Sequence, residues 1–223
     1  QQKLWIKLIV LLSNIKKIFF NDKDILNKED LIEGNISSSS LLHFRRKMSL
    51  KKINNIYYFW NYDKDFKTLV STMKFKDKKG LAVEISELIK EGIIFVLEKE
   101  KIDYIIPVPI SKERKIERGF NQVEIILDEL KLQYLEIKRI KNTKKMFQIL
   151  EEKKRDENIK NSFCITTDAD LNNRSILLFD DIVTTGSTLR EIKKELQKVY
   201  SVKKIIVLTL AAAREIKVNK GEI

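Results

Sequence analysis

One stretch near the carboxyl end of the chain, residues 176–190, constrains the fold more than any other. It opens with four apolar residues, which is typical of a strand buried on both faces of a parallel sheet. Two acids, Asp180 and Asp181, and a loop rich in hydroxyl groups come next. Apolar residues then recur at helical spacing, at Leu189, Ile192, Leu196 and Val199. This pattern predicts a strand, loop and helix of an α/β protein, with a ligand site at the carboxyl end of the strand.

The residue types in this loop suit a phosphorylated sugar. Gly186 allows a tight turn and a close approach to a ligand, and the N–H groups that open a helix favour a phosphate. We expect the phosphate to be held by Thr184, Thr185, Gly186, Ser187 and Thr188. The carboxylates of Asp180 and Asp181 can accept hydrogen bonds from vicinal hydroxyl groups or bind Mg²⁺. A phosphate beside two hydroxyl groups describes a ribose 5-phosphate.

All thirteen positions of residues 176–188 resemble the phosphoribosyl pyrophosphate (PRPP) signature of type I phosphoribosyltransferases. That signature has four apolar residues, two acids, two apolar residues and a small loop with hydroxyl groups and glycine. The resemblance implies PRPP as the substrate and Mg²⁺ as the cofactor, bound by Asp180 and Asp181. An alternative stays open, in which this is an ordinary turn whose Thr and Ser side chains only cap the helix.

Composition narrows the class of protein further. The 223 residues leave room for one domain and an extension. Lys and Arg exceed Asp and Glu by 44 to 32, which fits nucleic acid, an anionic substrate or a membrane surface, and also an AT-rich genome. The chain has one Cys, Cys164, and one His, His43. A single Cys excludes a disulfide within the chain and a zinc site built from cysteines. We therefore expect no zinc and a cytoplasmic location.

The chain divides into three predicted parts. Residues 1–52 form an N-terminal extension that is helical and basic, residues 53–215 a phosphoribosyltransferase-like domain, and residues 216–223 a tail. The apolar segment 4–20 is interrupted by lysines, and its charge-free window is much shorter than the about 20 residues that a membrane-spanning helix needs. The sequence therefore predicts an amphipathic helix at 4–20 that packs on the body of the protein without membrane contact, and a helix lying in a membrane interface is the alternative that stays open.

A second anion site is predicted in the middle of the chain. Residues 103–110 read as a strand that must end near Pro107 and Pro109, because proline cannot donate to a sheet ladder. A basic loop is predicted at 111–122, and it contains Arg114 and Arg118. We expect these cations to bind the pyrophosphate of PRPP. Further strands are predicted at 56–60, 135–140, 162–166 and 203–210, and helices at 66–75 and 81–96.

With these motifs in view, residues 53–213 resemble the ComF (GntX-like) family of competence-associated, phosphoribosyltransferase-like proteins. The run IIPVPISKERKIERGFNQ resembles the PVP…RGFNQ signature of that family. Lys74 matches a lysine that precedes an aromatic residue in the family. A spaced set in residues 141–163 also matches, at Thr143, Gln148, Leu150, Arg155, Asn158 and Phe163.

The resemblance implies a type I phosphoribosyltransferase fold, with a parallel sheet flanked by helices and a small hood. It implies a link to DNA uptake and contacts with other competence proteins. Lys74 would join the arginines at the pyrophosphate, and Arg155 would close over the site beside the catalytic Asp180 and Asp181. Members usually carry a four-cysteine zinc module at the N-terminus, whereas residues 1–52 contain no Cys.

Other functions fit the same sequence. A non-catalytic module could bind single-stranded DNA through aromatic residues close to basic ones, namely Tyr57, Tyr58, Trp60, Arg45 and Arg46. A sensor could bind PRPP without turnover, because it needs the same phosphate site as an enzyme. A phosphoacceptor site of the receiver-domain type is disfavoured, since it would leave the loop of hydroxyl groups and glycine unexplained.

Overall fold

The structure, a computed structural model, describes residues 23–31, 34–74, 79–139, 163–165 and 167–213. The chain divides into two compact units, Gln1–Arg46 and Lys47–Ile223, each of which is described by itself. The predicted helix at 4–20, the segment 142–161 and the tail lie outside the described residues. Across the described ranges, no helix combines the length and the apolar character needed to cross a bilayer.

The described part of the first unit is organised around the buried carboxylate of Asp24. Four groups donate hydrogen bonds to it, namely the backbone N–H groups of Leu26, Asn27 and Ser37 and the hydroxyl group of Ser40. Burial alone would raise the pKa of Asp24, but these hydrogen bonds outweigh it and hold the pKa well below its usual value. The turn at Asp24 is thereby fixed to the start of helix α1 (Ser38–Lys47).

The second unit contains a mostly parallel sheet and flanking helices. In chain order its elements are β1 (Lys51–Ile53), β2 (Ile56–Asn61), α2 (Lys64–Met73), α3 (Lys79–Lys99), β3 (Tyr104–Pro107), α4 (Lys112–Arg118), α5 (Gln122–Glu129), β4 (Lys138–Arg139), β5 (Phe163–Cys164), β6 (Ser175–Val183), α6 (Ser187–Val199) and β7 (Lys204–Ala212). Five strands form a sheet of order β1-β2-β7-β6-β3, in which β1 is antiparallel and the others are parallel. A separate antiparallel pair joins β4 and β5.

The sheet is buried on both faces, as its unbroken apolar strands predict. On one face β6 and α6 share an apolar cluster that includes Leu178, Ile192 and Leu196. Leu177 and Phe179 alternate with these strand residues, so they point to the opposite face, and they are fully buried too. The predicted fold class, a parallel sheet flanked by helices, is confirmed.

Most predicted elements of the second unit are found, with four differences. The strand at 176–179 is longer than predicted, because β6 continues through both acids to Val183. The region 111–122 is not a loop, since the helix α4 occupies most of it. The strand at 135–140 is reduced to two described residues in β4. Val199 does not face the core, because 60% of it is exposed at the last turn of α6.

The aromatic residues proposed to stack on DNA bases are not available at the surface. Tyr57, Tyr58 and Trp60 lie in β2, and they are only 2%, 8% and 2% exposed. They are buried because β2 is an inner strand, between β1 and β7. The prediction that these three side chains form a stacking surface is therefore wrong.

Candidate functional site

A cavity of about 320 Å³ lies at the carboxyl end of the sheet. It occupies a notch between two strands of unequal length. Strand β3 pairs with β6 only as far as Pro107 opposite Phe179, and one more hydrogen bond follows, from Val108 N–H to Phe179 O at 2.8 Å. Strand β6 continues beyond that point, paired with β7 as far as Val183. The early end of β3 leaves room for a ligand beside the protruding end of β6.

The cavity collects the site residues that the sequence predicts. Ten of them line it, namely Lys74, Arg114, Arg118, Asp180, Asp181, Thr184, Thr185, Gly186, Ser187 and Thr188. They come from distant parts of the chain, since Lys74 follows α2, the arginines belong to α4 and the others continue from β6. Arg155, the remaining predicted residue, lies outside the described residues.

The two acids at the floor of the cavity differ in charge. Burial raises the pKa of Asp180, and the negative charge of Asp181 raises it further. Burial would also raise the pKa of Asp181, but Lys74 and then Arg118 outweigh it, so that this pKa is lowered. Lys74 Nζ lies 3.1 Å from Asp181 Oδ2, and 23% of the Asp181 side chain is exposed. Asp181 is therefore the charged member of the pair.

The loop after β6 exposes the N-terminus of α6. Gly186 adopts φ 73°, a left-handed conformation that glycine takes without strain, and no side chain of the described residues caps the helix there. The hydroxyl groups of Thr185 and Ser187 instead bond to each other at 2.9 Å. Arg190 fixes the loop from behind by donating to Thr185 O at 2.7 Å. This geometry disagrees with the alternative of an ordinary turn, in which the Thr and Ser side chains cap the helix.

The two arginines are placed by a short helix with defined ends. Ser111 caps the N-terminus of α4, and Gly119, at φ 81°, ends the helix after Arg118. Burial lowers the pKa of Arg118, and the positive charge of Arg114 lowers it further. Two cations close enough to repel each other are stabilised when an anion binds between them.

Three further residues that line the cavity, Tyr62, Asn121 and Gln122, carry no predicted role. Tyr62 follows the carboxyl end of β2, and its pKa is raised by burial and by the charge of Asp181. Its position at a strand end is the sequence signal that could have found it. Asn121 and Gln122 belong to the GFNQ run, where a motif is visible in the sequence but the task of each side chain is not.

The donor set of the cavity fits Mg²⁺ shared with a substrate. Two adjacent carboxylates supply hard oxygen ligands, which is the chemistry that Mg²⁺ prefers. Within the described ranges, no group of three or more His, Cys, Asp or Glu residues could enclose a metal ion. Asp180 and Asp181 are the residues of the cavity that could hold such an ion.

The parallel sheet, the paired acids and the uncapped helix define an α/β protein with a candidate anion site at the carboxyl end of its sheet. Its relatives are competence proteins. The chain is 37% identical over 116 residues to competence protein F of Haemophilus influenzae, which covers 49% of this chain and 50% of that protein. It is 30% identical over 151 residues to competence protein ComFC of Bacillus subtilis, covering 65% and 58%. The resemblance to the ComF family is confirmed by these relatives.

The chain is also similar to the DNA utilization protein YhgH of Escherichia coli, with 28% identity over 142 residues that cover 59% of this chain and 61% of that protein. The chain thus spans between half and two thirds of the length of these relatives. No family model matches the chain.

Solved structures similar to this one include phosphoribosyltransferases. Adenine phosphoribosyltransferase from Leishmania tarentolae gives a TM-score of 0.41 at 15% identity, covering 74% of this chain and 94% of that one. Hypoxanthine phosphoribosyltransferase from Staphylococcus aureus gives 0.38 at 16% identity, covering 60% and 67%. Scores of this size add nothing to what the strand order and the cavity establish.

Proposed function

We propose that this protein binds PRPP together with Mg²⁺ in the cavity and uses it as a phosphoribosyl donor. One observation carries the proposal. Residues predicted separately for the ribose, the 5-phosphate and the pyrophosphate line a single cavity of about 320 Å³. The lower limit for drug-sized ligand sites is about the same volume.

Each part of PRPP has complementary groups in the cavity. The 5-phosphate would bind the loop of residues 184–188, where the N–H groups of α6 have no side-chain cap. The ribose hydroxyl groups would donate to Asp180 and Asp181. The pyrophosphate would contact Arg114 and Arg118, and Lys74 would exchange its ion pair with Asp181 for a phosphate oxygen.

In the reaction that we propose, the bond between the anomeric carbon and the pyrophosphate oxygen breaks and pyrophosphate leaves with the electron pair. The sugar then carries positive charge, which the carboxylate of Asp181 stabilises until an electron pair of the acceptor forms the new bond to the anomeric carbon and the acceptor's proton passes to water. The fixed cations Arg114 and Arg118 stabilise the charge that develops on the leaving group. Bound Mg²⁺ would supply further charge stabilisation on the phosphate oxygens. The role of Arg155 in closing the site stays a prediction.

The names of the relatives suggest where the activity is used. Proteins called competence proteins and DNA utilization proteins share this region of sequence. We propose that the reaction serves DNA uptake, on the cytoplasmic side and together with other competence proteins.

Calorimetry of PRPP binding tests the proposal, with and without Mg²⁺, in the wild type and in the double variant Asp180→Asn/Asp181→Asn. We expect micromolar binding that requires Mg²⁺ and is lost in the double variant. The variant Asp103→Asn is a matched control, because Asp103 precedes β3 at the opposite end of the sheet. A wild type that does not bind PRPP would refute the proposal.

A second candidate function is binding of single-stranded DNA, favoured by the net charge of +12 and the names of the relatives. Because the aromatic residues of β2 are buried, such binding would rest on phosphate contacts and fall steeply with salt. DNA affinity that is equal at 50 and 200 mM salt would exclude it. A sensor differs from an enzyme by releasing no pyrophosphate from bound PRPP, which a pyrophosphate assay measures.

A further inference from the structure

The side chain of Gln122 is buried and has no hydrogen-bond partner in the part of the chain that the structure describes. Gln122 is 1% exposed, and neither Oε1 nor Nε2 is hydrogen-bonded among the described residues. Buried polar groups are nearly always paired, because leaving them unpaired costs free energy. A Met or Leu would fill the same space without this cost, so the amide needs an explanation other than packing.

The neighbouring Asn121 shows what a structural amide looks like at this position. Asn121 is 3% exposed, and its Nδ2 donates to Val108 O at 3.1 Å and to Glu124 Oε1 at 3.0 Å. Its Oδ1 accepts from Val123 N–H at 3.3 Å and caps α5. Asn121 therefore attaches the start of α5 to the end of β3. Gln122 makes no comparable contact, although both residues line the cavity.

Gln122 belongs to the same chain segment as the two arginines, so we place it at the end of the cavity proposed for the pyrophosphate. It follows Arg118 by four residues, across the Gly119 turn that ends α4. The bond from Asn121 to Val108 holds this segment beside the end of β3, whereas the loop for the 5-phosphate follows β6.

We propose that Gln122 is a ligand-binding residue, whose amide hydrogen-bonds the pyrophosphate of PRPP. The Nε2–H group donates to a phosphate oxygen, and Oε1 accepts from a water molecule or hydroxyl group of the bound substrate. This inference rests on the proposed function and specifies one subsite of it. It also assigns separate tasks within the GFNQ run, in which Gly119 turns the chain, Asn121 holds it and Gln122 contacts the ligand.

The test compares three probes, each with Mg²⁺, by calorimetry on the full chain. The probes are PRPP, inorganic pyrophosphate and ribose 5-phosphate, and the variants are Gln122→Met and Gln133→Met. Gln133 is an exposed glutamine outside the cavity, so it is the matched control. We expect Gln122→Met to weaken PRPP and pyrophosphate about tenfold and ribose 5-phosphate less than twofold. Gln133→Met should bind all three like the wild type.

Thermal unfolding without ligand separates a binding role from a structural one. Removing an unpaired buried amide should leave the midpoint of Gln122→Met equal to the wild type or higher. A midpoint lowered by several degrees, or pyrophosphate binding within twofold of the wild type, would overturn the inference. Equal weakening of pyrophosphate and ribose 5-phosphate would overturn the assigned subsite.

The isosteric Gln122→Glu keeps the test decisive if the Met variant does not fold. Its carboxylate repels an anion, so pyrophosphate should bind more than tenfold weaker, whereas an unchanged affinity would refute the contact. Loss of PRPP binding in the wild type would instead refute the proposed function itself.

Discussion

The two ends of the sheet both carry acids surrounded by cations. Only at the amino end does the fold supply the hydrogen bonds that the acid needs. At the amino end, Glu100 accepts from Lys52 Nζ at 2.8 Å, Tyr57 OH at 2.6 Å and Lys204 Nζ at 2.9 Å. These hydrogen bonds, from Lys52 first and then Tyr57, lower the pKa of Glu100 to about 2 in spite of its burial. They connect the end of α3 to three neighbouring strands.

At the carboxyl end the charges are not balanced in this way. Burial and then the charge of Asp181 raise the pKa of Asp180, and burial and then the charge of Arg114 lower the pKa of Arg118. Lys74 is the cation within 4 Å of Asp181 among the described ion pairs. The difference indicates that the fold itself supplies the hydrogen bonds of a structural acid such as Glu100. In a binding site, a ligand supplies part of the hydrogen bonds.

The largest effect that this comparison predicts is on stability at the amino end. Replacing Glu100 with Ala should lower the free energy of unfolding by about 3 kcal/mol, because two lysines and a tyrosine lose their shared acceptor. PRPP affinity should not change. Urea unfolding and calorimetry measure the two quantities. If the free energy of unfolding fell by less than about 1 kcal/mol, the hydrogen bonds of Glu100 would not have the structural role that the comparison gives them.

The same cluster predicts a pH dependence with a defined sign. The folded pKa of Glu100 lies below its ordinary value of 4.5, so its contribution is fully present above that pH and is lost as pH falls toward 2. The difference in unfolding free energy between wild type and Glu100→Ala should shrink by about 1 kcal/mol between pH 6 and pH 3.5. Urea titrations at both pH values provide the measurement. A difference that grows on acidification would contradict the assigned charge state.

Asp180→Asn should have the opposite effect to Glu100→Ala. Without ligand, the variant should be more stable than the wild type by about 1 kcal/mol at neutral pH, because Asp180 must take up a proton to be buried beside Asp181, whereas an amide is neutral already. PRPP binding should be lost in the same variant. Unfolding in urea at neutral pH checks the sign, and a variant destabilised like Glu100→Ala would remove the contrast between the two ends.

The smallest effect is expected for an exposed ion pair near the amino end. Arg174 Nη1 lies 3.4 Å from Asp103 Oδ1, and the two side chains are 51% and 35% exposed. Arg174→Gln should change the free energy of unfolding by less than about 0.5 kcal/mol, because solvent screens such pairs. If urea unfolding showed that Arg174→Gln loses as much stability as Glu100→Ala, burial would not explain the difference between the Arg174–Asp103 pair and the Glu100 cluster.

The sequence predicts site residues that are contiguous in the chain better than contacts between residues that are far apart in the chain. The loop of residues 184–188 and both acids could be read directly, because strand, loop and helix are contiguous and each residue type has a specific task. The Glu100 cluster could not be predicted, since Lys204 is 104 positions away in the chain and Glu100 stands among many ordinary charges. Gln122 is visible in a motif, but only the structure shows that its amide has no hydrogen-bond partner within the described ranges.

The predicted end of strand β6 is wrong for a related reason. The sequence predicts that the two acids follow the strand, because the unbroken apolar run ends at Phe179. Pairing with β7 nevertheless extends β6 as far as Val183 opposite Ala212. Hydrogen bonds from a distant strand, which no local pattern encodes, determined where β6 ends.

The unequal ends of β3 and β6 also bear on the solubility of the protein. Beyond Phe179, no described strand pairs with β6 on the side of β3, and such an open edge invites pairing with another chain. Asp180 and Asp181 begin this open edge, and inward-facing charge is one of the means by which proteins protect strand edges from aggregation. We expect the charge of Asp181 to disfavour such pairing, so that Asp181→Asn should alter colloidal behaviour as well as ligand binding.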